Sequence, residues 1–350
     1  MTGTPSMQPY TGGATVYIDQ NVLDMAVKGQ DPAFFKSITD KLQIIYSDET
    51  LREIKRSGEP EKFLAALDAL NSMHFRHQFN ERFEPTGEMI LHDLSSSHAY
   101  ANYLQAEPVY DLMLAAAHQT TLKLYGGRAD SAFTDIASEQ VEAFDSLVQS
   151  LSAPLDQLDQ TQPGLRAPIE RYLESLQSQH EQISAVAATE MTKHIGETGQ
   201  SGVNNYRASV GMGPKELNNV KPPRVIEKIW QAYQQVDGYR EQGYTIENFL
   251  GIATNPIYRR EMHRHEKVTA IYNVLNVIGY KTDSKLNREN RHIAAISDAA
   301  HASIASHANC LISADEAFVS KVRAIYEFLG VTTEVALVTL VDNEIVVKSK

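Results

Sequence analysis

The stretch ATVYIDQNVLDMAV, residues 14–27, decides how the rest of the chain is read. Ala14 to Asp19 is a short β-branched run that breaks off in polar residues, the pattern of a strand buried in a parallel sheet. Asn21 to Val27 suits the first turns of a helix. In open α/β sheets, ligand sites gather beyond the carboxyl ends of the strands. Asp19 stands at such an end.

Reading outward, LQIIY (Leu42 to Tyr46) is a second strand, and Ser47 is placed to N-cap the helix DETLREIKR. Pro60 and Glu61 open a further helix through Leu70. Met73, Phe75, His77 and Phe79 then alternate with polar residues as a third strand. From 84 to 251 the character changes to Ala/Leu/Gln-rich helical segments (Ser95 to Leu124, Asp130 to Leu151, Ala167 to Lys193) with no clear strand signal. The β/α pattern returns in 252–350, with helices at about 258–279 and 289–308. CLIS (Cys310 to Ser313) is a buried strand and Asp315 lies just past its end. A helix follows at Phe318 to Leu329, and Val335 to Val347 suits a hairpin turning at Asp342-Asn343. The expectation is an α/β fold with a central parallel sheet. Its core is discontinuous (14–83 and 252–350), an all-α insertion spans 84–251, and residues 1–13 form a flexible N-terminus.

The bulk numbers bound the function. A formal charge of −12 over 350 residues argues against indiscriminate coating of nucleic acid, since phosphate binding rests on Lys and Arg. One cysteine, Cys310, excludes an internal disulfide framework and a thiolate zinc site. No segment reads as a signal peptide or approaches the ~20 apolar residues of a membrane span. These features predict a cytoplasmic protein with no membrane partner.

Four acids stand out. Asp19 and Asp315 fall at strand ends, Glu53 lies in the helix after the second strand, and Asp298 sits among Ala294, Ala295, Ala299 and Ala300. A carboxylate in apolar company is poorly solvated unless a cation compensates it. Several converging carboxylates with no cysteine select Mg²⁺ or Mn²⁺, held by Asp19, Glu53, Asp298 and Asp315, an arrangement suited to phosphodiester hydrolysis. Each acid also has a plainer reading. Asp19 and Asp315 suit helix N-caps, and Glu53 can pair with Arg56 one turn on.

Three segments carry a resemblance. VYIDQNVLDMAV (16–27), IIYSDETLREIKR (44–56) and SDAAHASIASHANCLISADEAF (297–318) resemble, in order, the strand-Asp-x-Asn opening, the second Glu-bearing helix and the closing Asp-helix plus [ST]-x-D-x-x-F strand end of the PIN family. The resemblance covers about 14–80 and 285–330. It implies a Rossmann-like core and a metal-dependent nuclease, most often one cutting single-stranded RNA; many relatives are ribonuclease toxins or RNA-processing enzymes. It assigns catalysis and metal binding to Asp19, Glu53, Asp298 and Asp315, with Asn21 and Ser313 orienting carboxylates or water. Two departures are the long helical insertion and Ala314, where a basic residue is frequent.

Between Tyr258 and His292, eight Lys/Arg face four Asp/Glu. This segment reads either as a mixed-charge helix pair or as a phosphate-guiding rim, with Arg288, Arg291 and His301 as substrate contacts and Tyr258 and Tyr280 as stacking candidates. His74 and His77, three apart on a strand, point to opposite faces. His92-Asp93 resembles the pair of HD-type phosphohydrolases, with Asp111 as a further partner. The Gly-rich segment 196–214 lacks a phosphate-loop ending. The alternatives to an endoribonuclease are a DNA nuclease on the same core, a silent interaction module, and a phosphohydrolase at His92. Expected partners are RNA or DNA and, through the insertion, a second copy or another protein.

Overall fold

The computed structural model describes residues 12–80, 84–150, 155–156, 159–160, 162, 164, 166–195, 201–255 and 259–348. Within helix 96–124 the side chains of 108–117, Asp111 among them, lie outside the described residues, as do residues 1–11 and Tyr258.

The strands are β1 (Thr15–Ile18), β2 (Gln43–Tyr46), β3 (Met73–Phe79), β4 (Pro85–His92), β5 (Cys310–Ser313), β6 (Glu334–Val341) and β7 (Glu344–Lys348). They form one seven-stranded sheet in the order β4-β3-β2-β1-β5-β6-β7. Pairing is parallel from β3 to β6, and an antiparallel hairpin partner flanks each side. The fold is a Rossmann-like α/β arrangement. β1 reads TVYI and is buried along its whole length, as a central strand covered on both faces must be.

The helices of the first half are α1 (Gln20–Val27), α2 (Pro32–Thr39), α3 (Asp48–Ser57), α4 (Pro60–Ala69), α5 (Ser96–Leu124), α6 (Phe133–Ser150) and α7 (Arg166–Ile195). They continue as α8 (Gly202–Val210), α9 (Pro214–Leu217), α10 (Val225–Tyr233), α11 (Asp237–Glu241), α12 (Ile246–Leu250), α13 (Arg264–Ile278), α14 (Glu289–Ala305) and α15 (Glu316–Leu329). Local chemistry starts α3 as expected. Ser47 accepts from the Thr50 amide while Thr50 Oγ1 accepts from the Ser47 amide, a reciprocal cap, and Gly58 (φ 75°) ends the helix. No helix among the described residues is long and apolar enough to cross a membrane.

The chain divides into two compact units. The first takes Met1–Tyr103, Val210–Asp283 and Ala295–Lys350, and holds the sheet and its core, with Val16, Ile18, Leu23, Ile44, Leu51 and Ile312 at its centre. The second takes Leu104–Ser209 and Ser284–Ala294. It is helical; Phe144 of α6 stacks on His180 of α7, ring centres 4.7 Å apart.

Two sequence expectations change. The segment beginning at 84 opens with β4, which pairs antiparallel with β3, so the region is not all-helical at its start. β4 escaped notice because it is an edge strand with no buried face: half-exposed throughout and carrying Pro85 and Gly87, it shows no alternation to read. Residues 210–251 also join the sheet-bearing unit, through α10 packed on α15, rather than the helical one.

Candidate functional site

β1 and β5 are neighbours whose crossovers leave in opposite directions, so the crevice beyond their carboxyl ends is the switch point of the sheet. Asp19 projects there. It is 6% exposed and N-caps α1, accepting from the Gln20 amide at 2.8 Å through Oδ1. Its Oδ2 accepts from Asn21 Nδ2 and Ser313 Oγ, each at 2.6 Å. The Asn21 side-chain Oδ1 in turn accepts from the Ala314 backbone amide at 2.9 Å. Asn21 and Ser313 thus lock the Asp19 carboxylate across the β1–β5 seam. Burial pushes its pKa up, opposed by His301 and by the Ser313 and Gln20 hydrogen bonds, while Glu53 adds to the rise.

α3 brings Glu53 and α14 brings His301 to the same place. His301 is 1% exposed and lies 2.6 Å from the Tyr17 hydroxyl through Nδ1 and 3.1 Å from Glu53 Oε2 through Nε2. Tyr17 is itself held by Ser47 Oγ at 2.7 Å and Thr50 Oγ1 at 3.2 Å. Burial disfavours the imidazolium, yet Tyr17, Glu53 and Asp19 outweigh it and raise the His301 pKa well above the usual value. Burial also raises Glu53, but His301 and then Arg56 hold it below the ordinary carboxylate range. Arg56 bonds Glu53 at 3.2 Å and Ser297 Oγ at 2.8 Å, and Ser297 donates to Glu49 at 2.6 Å. Glu53 therefore makes the i, i+3 pair with Arg56 and also faces the cluster. Asp19, Glu53 and His301 each offer a ligand atom, all within 4.8 Å of one another.

No family model, curated protein or solved structure matches this chain.

Asp298 is outside that trio but within its field. Burial raises its pKa well above normal, followed by Asp19 and Asp283, against the pull of Lys321 and His301. Among the described residues it has no hydrogen-bond or ion-pair partner. The Tyr272 hydroxyl is likewise buried and unpartnered. Burial, then the negative charge of Asp298, Asp283, Asp315 and Asp19, push that phenol up. Lys321, fully buried, bonds Asp283 at 2.8 Å and Asn276 at 3.0 Å and lies 4.0 Å from the centre of the Tyr272 ring. Asp315 is exposed and caps α15, accepting from the Phe318 amide at 2.8 Å. A hard divalent cation fits this donor set: Asp19 is buried, Glu53 and Asp298 are half-buried, and Asp298 has no hydrogen-bond or ion-pair partner among the described residues.

Arg288 and Arg291 lie in the second unit, exposed and without an ion pair among the described residues. Elsewhere in the basic segment, Arg260 pairs with Glu266 and Lys267 with Glu261. Tyr280 is buried as a core anchor. His74 is buried 2.9 Å from Asp48, while His92, its partner across the β3–β4 pair, precedes an exposed Asp93. Tyr17 and Lys321 were missed by sequence reasoning. Lys321 did leave a signal, since it shares the apolar face of α15 with Phe318, Val322 and Ile325, where a lysine has no ordinary place.

Proposed function

We propose that this chain is a PIN-like, metal-dependent nuclease that cuts RNA at the crevice beyond β1 and β5. The observation that carries the reading is the meeting of Asp19, Glu53 and His301 at the switch point, with the unpartnered Asp298 beside them. Asp19 and Glu53 would hold Mg²⁺ or Mn²⁺, with Asp298 and Asp315 as the further carboxylates that the family pattern assigns. Bound there, the ion would supply Lewis acidity and a lowered water pKa. Asn21 and Ser313 fix the Asp19 oxygens, so the carboxylate meets its partner without reorganising. Tyr17 aims His301 at Glu53, which sets the orientation of that carboxylate. Lys321 offsets the negative charge behind Asp298 and lets several acids share one buried region.

The test is cleavage of a single-stranded RNA with Mn²⁺ or Mg²⁺. Asp19→Asn and Glu53→Gln should each lower the rate by about 10²-fold or more, in line with loss of a positioned charge, with KM little changed. Equal rates in wild type and both variants would remove the assignment. Cleavage of DNA in preference to RNA would keep the site and correct the substrate.

A further inference from the structure

A second group of chemistry-bearing residues lies in the same unit, outside the acidic crevice. His77 is on β3, His265 in the first turn of α13, and His307 just past the end of α14. The rings of His77 and His265 are centred 4.4 Å apart, and those of His265 and His307 6.1 Å apart. Imidazoles sharing one tetrahedral ion through bonds of ~2.0–2.1 Å have ring centres roughly 5 Å apart.

His265 is 8% exposed, and its Nδ1, together with His77 Nδ1 and His307 Nε2, is buried with no hydrogen-bond partner. Buried polar atoms are normally satisfied. Three orphaned ring nitrogens in one cluster call for a single species that all can bind.

We propose that His77, His265 and His307 form a binding site for one transition-metal ion of the zinc class. An all-imidazole donor set favours Zn²⁺, Co²⁺ or Ni²⁺ over the hard cations suited to carboxylates. Coordination requires neutral rings, and burial, the leading cause for all three, supplies them. It lowers His77, and with help from neighbouring cationic and imidazole groups it takes His265 to about 4 and His307 to about 3. As placed, the three rings do not bring one nitrogen each within 4.8 Å of the others, the spacing that Asp19, Glu53 and His301 meet, so binding requires rotation of these side chains to converge on the ion. Arg264, exposed and donating to His307 Nδ1 at 3.1 Å, withdraws as it binds. His263 is not a ligand: its Nε2 lies 3.1 Å from the Pro85 carbonyl, and Gly87 packs against its ring. The ion joins β3 to the ends of two helices, as a structural tie independent of any reading of the acidic crevice.

The probe is Co²⁺, whose visible bands report coordination, added to the full chain in an Asp19→Asn, Glu53→Gln background that disables the acidic cluster. One equivalent should bind with the strong bands of a four-coordinate site, be displaced by Zn²⁺, and raise Tm. In the same background, His265→Gln should abolish the bands, and His77→Gln and His307→Gln should each weaken binding by about tenfold or more. Circular dichroism checks folding. If His265→Gln does not fold, the two half-buried positions decide the matter. Absence of stoichiometric binding, or bands indifferent to substitutions at His77 and His307, would overturn the site.

Discussion

Asp298 and Lys321 show how one buried charge and its compensator differ in consequence. Among the described residues Asp298 has no hydrogen-bond or ion-pair partner, and its pKa is strongly raised, so without a cation it is a liability. Asp298→Asn removes that charge at nearly constant volume and should stabilise the metal-free chain by about 1–2 kcal/mol, read as a rise in the denaturation midpoint. The same variant should lose most of the stabilisation that Mn²⁺ gives the wild type. Lys321→Met should do the reverse. It leaves the half-buried Asp283 beside Asn276 without its ammonium, and breaking such a pair costs on the order of 2–3 kcal/mol, less than for a fully buried one. If both substitutions destabilised equally, the charge excess inferred around Tyr272 would be wrong. Asp19 was legible in the sequence because a β-branched strand ending in Asp is a local pattern. The role of His301 was not, since its contact with Glu53 depends on how α14 packs against α3, 248 positions apart in sequence.

At the level of elements, turn and cap chemistry was the most readable signal. Ser47 caps α3, and Asp342-Asn343, both at positive φ, turn the β6–β7 hairpin where their side chains suggested. What failed was β4, which has one neighbour and no buried face, so nothing in its side chains recorded the sheet. Junctions between elements can be equally demanding. Gly279 ends α13 at φ 101°, and a Cβ there would stand 2.7 Å from the Pro214 ring that opens α9. Gly279→Ala combines a disfavoured backbone with a clash against a rigid ring, and should cost more than about 1 kcal/mol in urea unfolding. Gly29→Ala, at positive φ but with open space around it, should cost less; equal losses would mean the Pro214 contact does not matter.

For the whole molecule, the titrating groups of the crevice set an unusual pH profile. The raised pKa values of Asp19, Asp298 and His301 stabilise the fold below the unfolded-state values of 3.8 and 6.5, and the contribution is lost as pH rises through the folded ones. Glu53, lowered from 4.5, acts in the opposite sense and fails only as pH falls below that value. Without metal, Tm should therefore decline from about pH 4 upward as Asp19 and Asp298 ionise, and further above about pH 6.5 as His301 loses its proton; on the proposed reading, saturating Mn²⁺ should flatten or reverse the decline by binding the ionised carboxylates. A Tm independent of pH across this range, with and without the ion, would contradict the electrostatic account.

The hydrogen bond from Ser313 to Asp19 spans 294 positions of sequence. A chain emerging from the ribosome presents Asp19 and Glu53 first, while Asp298, His301 and Ser313 follow more than 240 residues later. Until then β1 lacks β5 on one side, and the crevice has a single wall. The order of strands thus makes the crevice a late product of folding: on the proposed reading, a chain cut before β5 should show no RNA cleavage, however much of it is present.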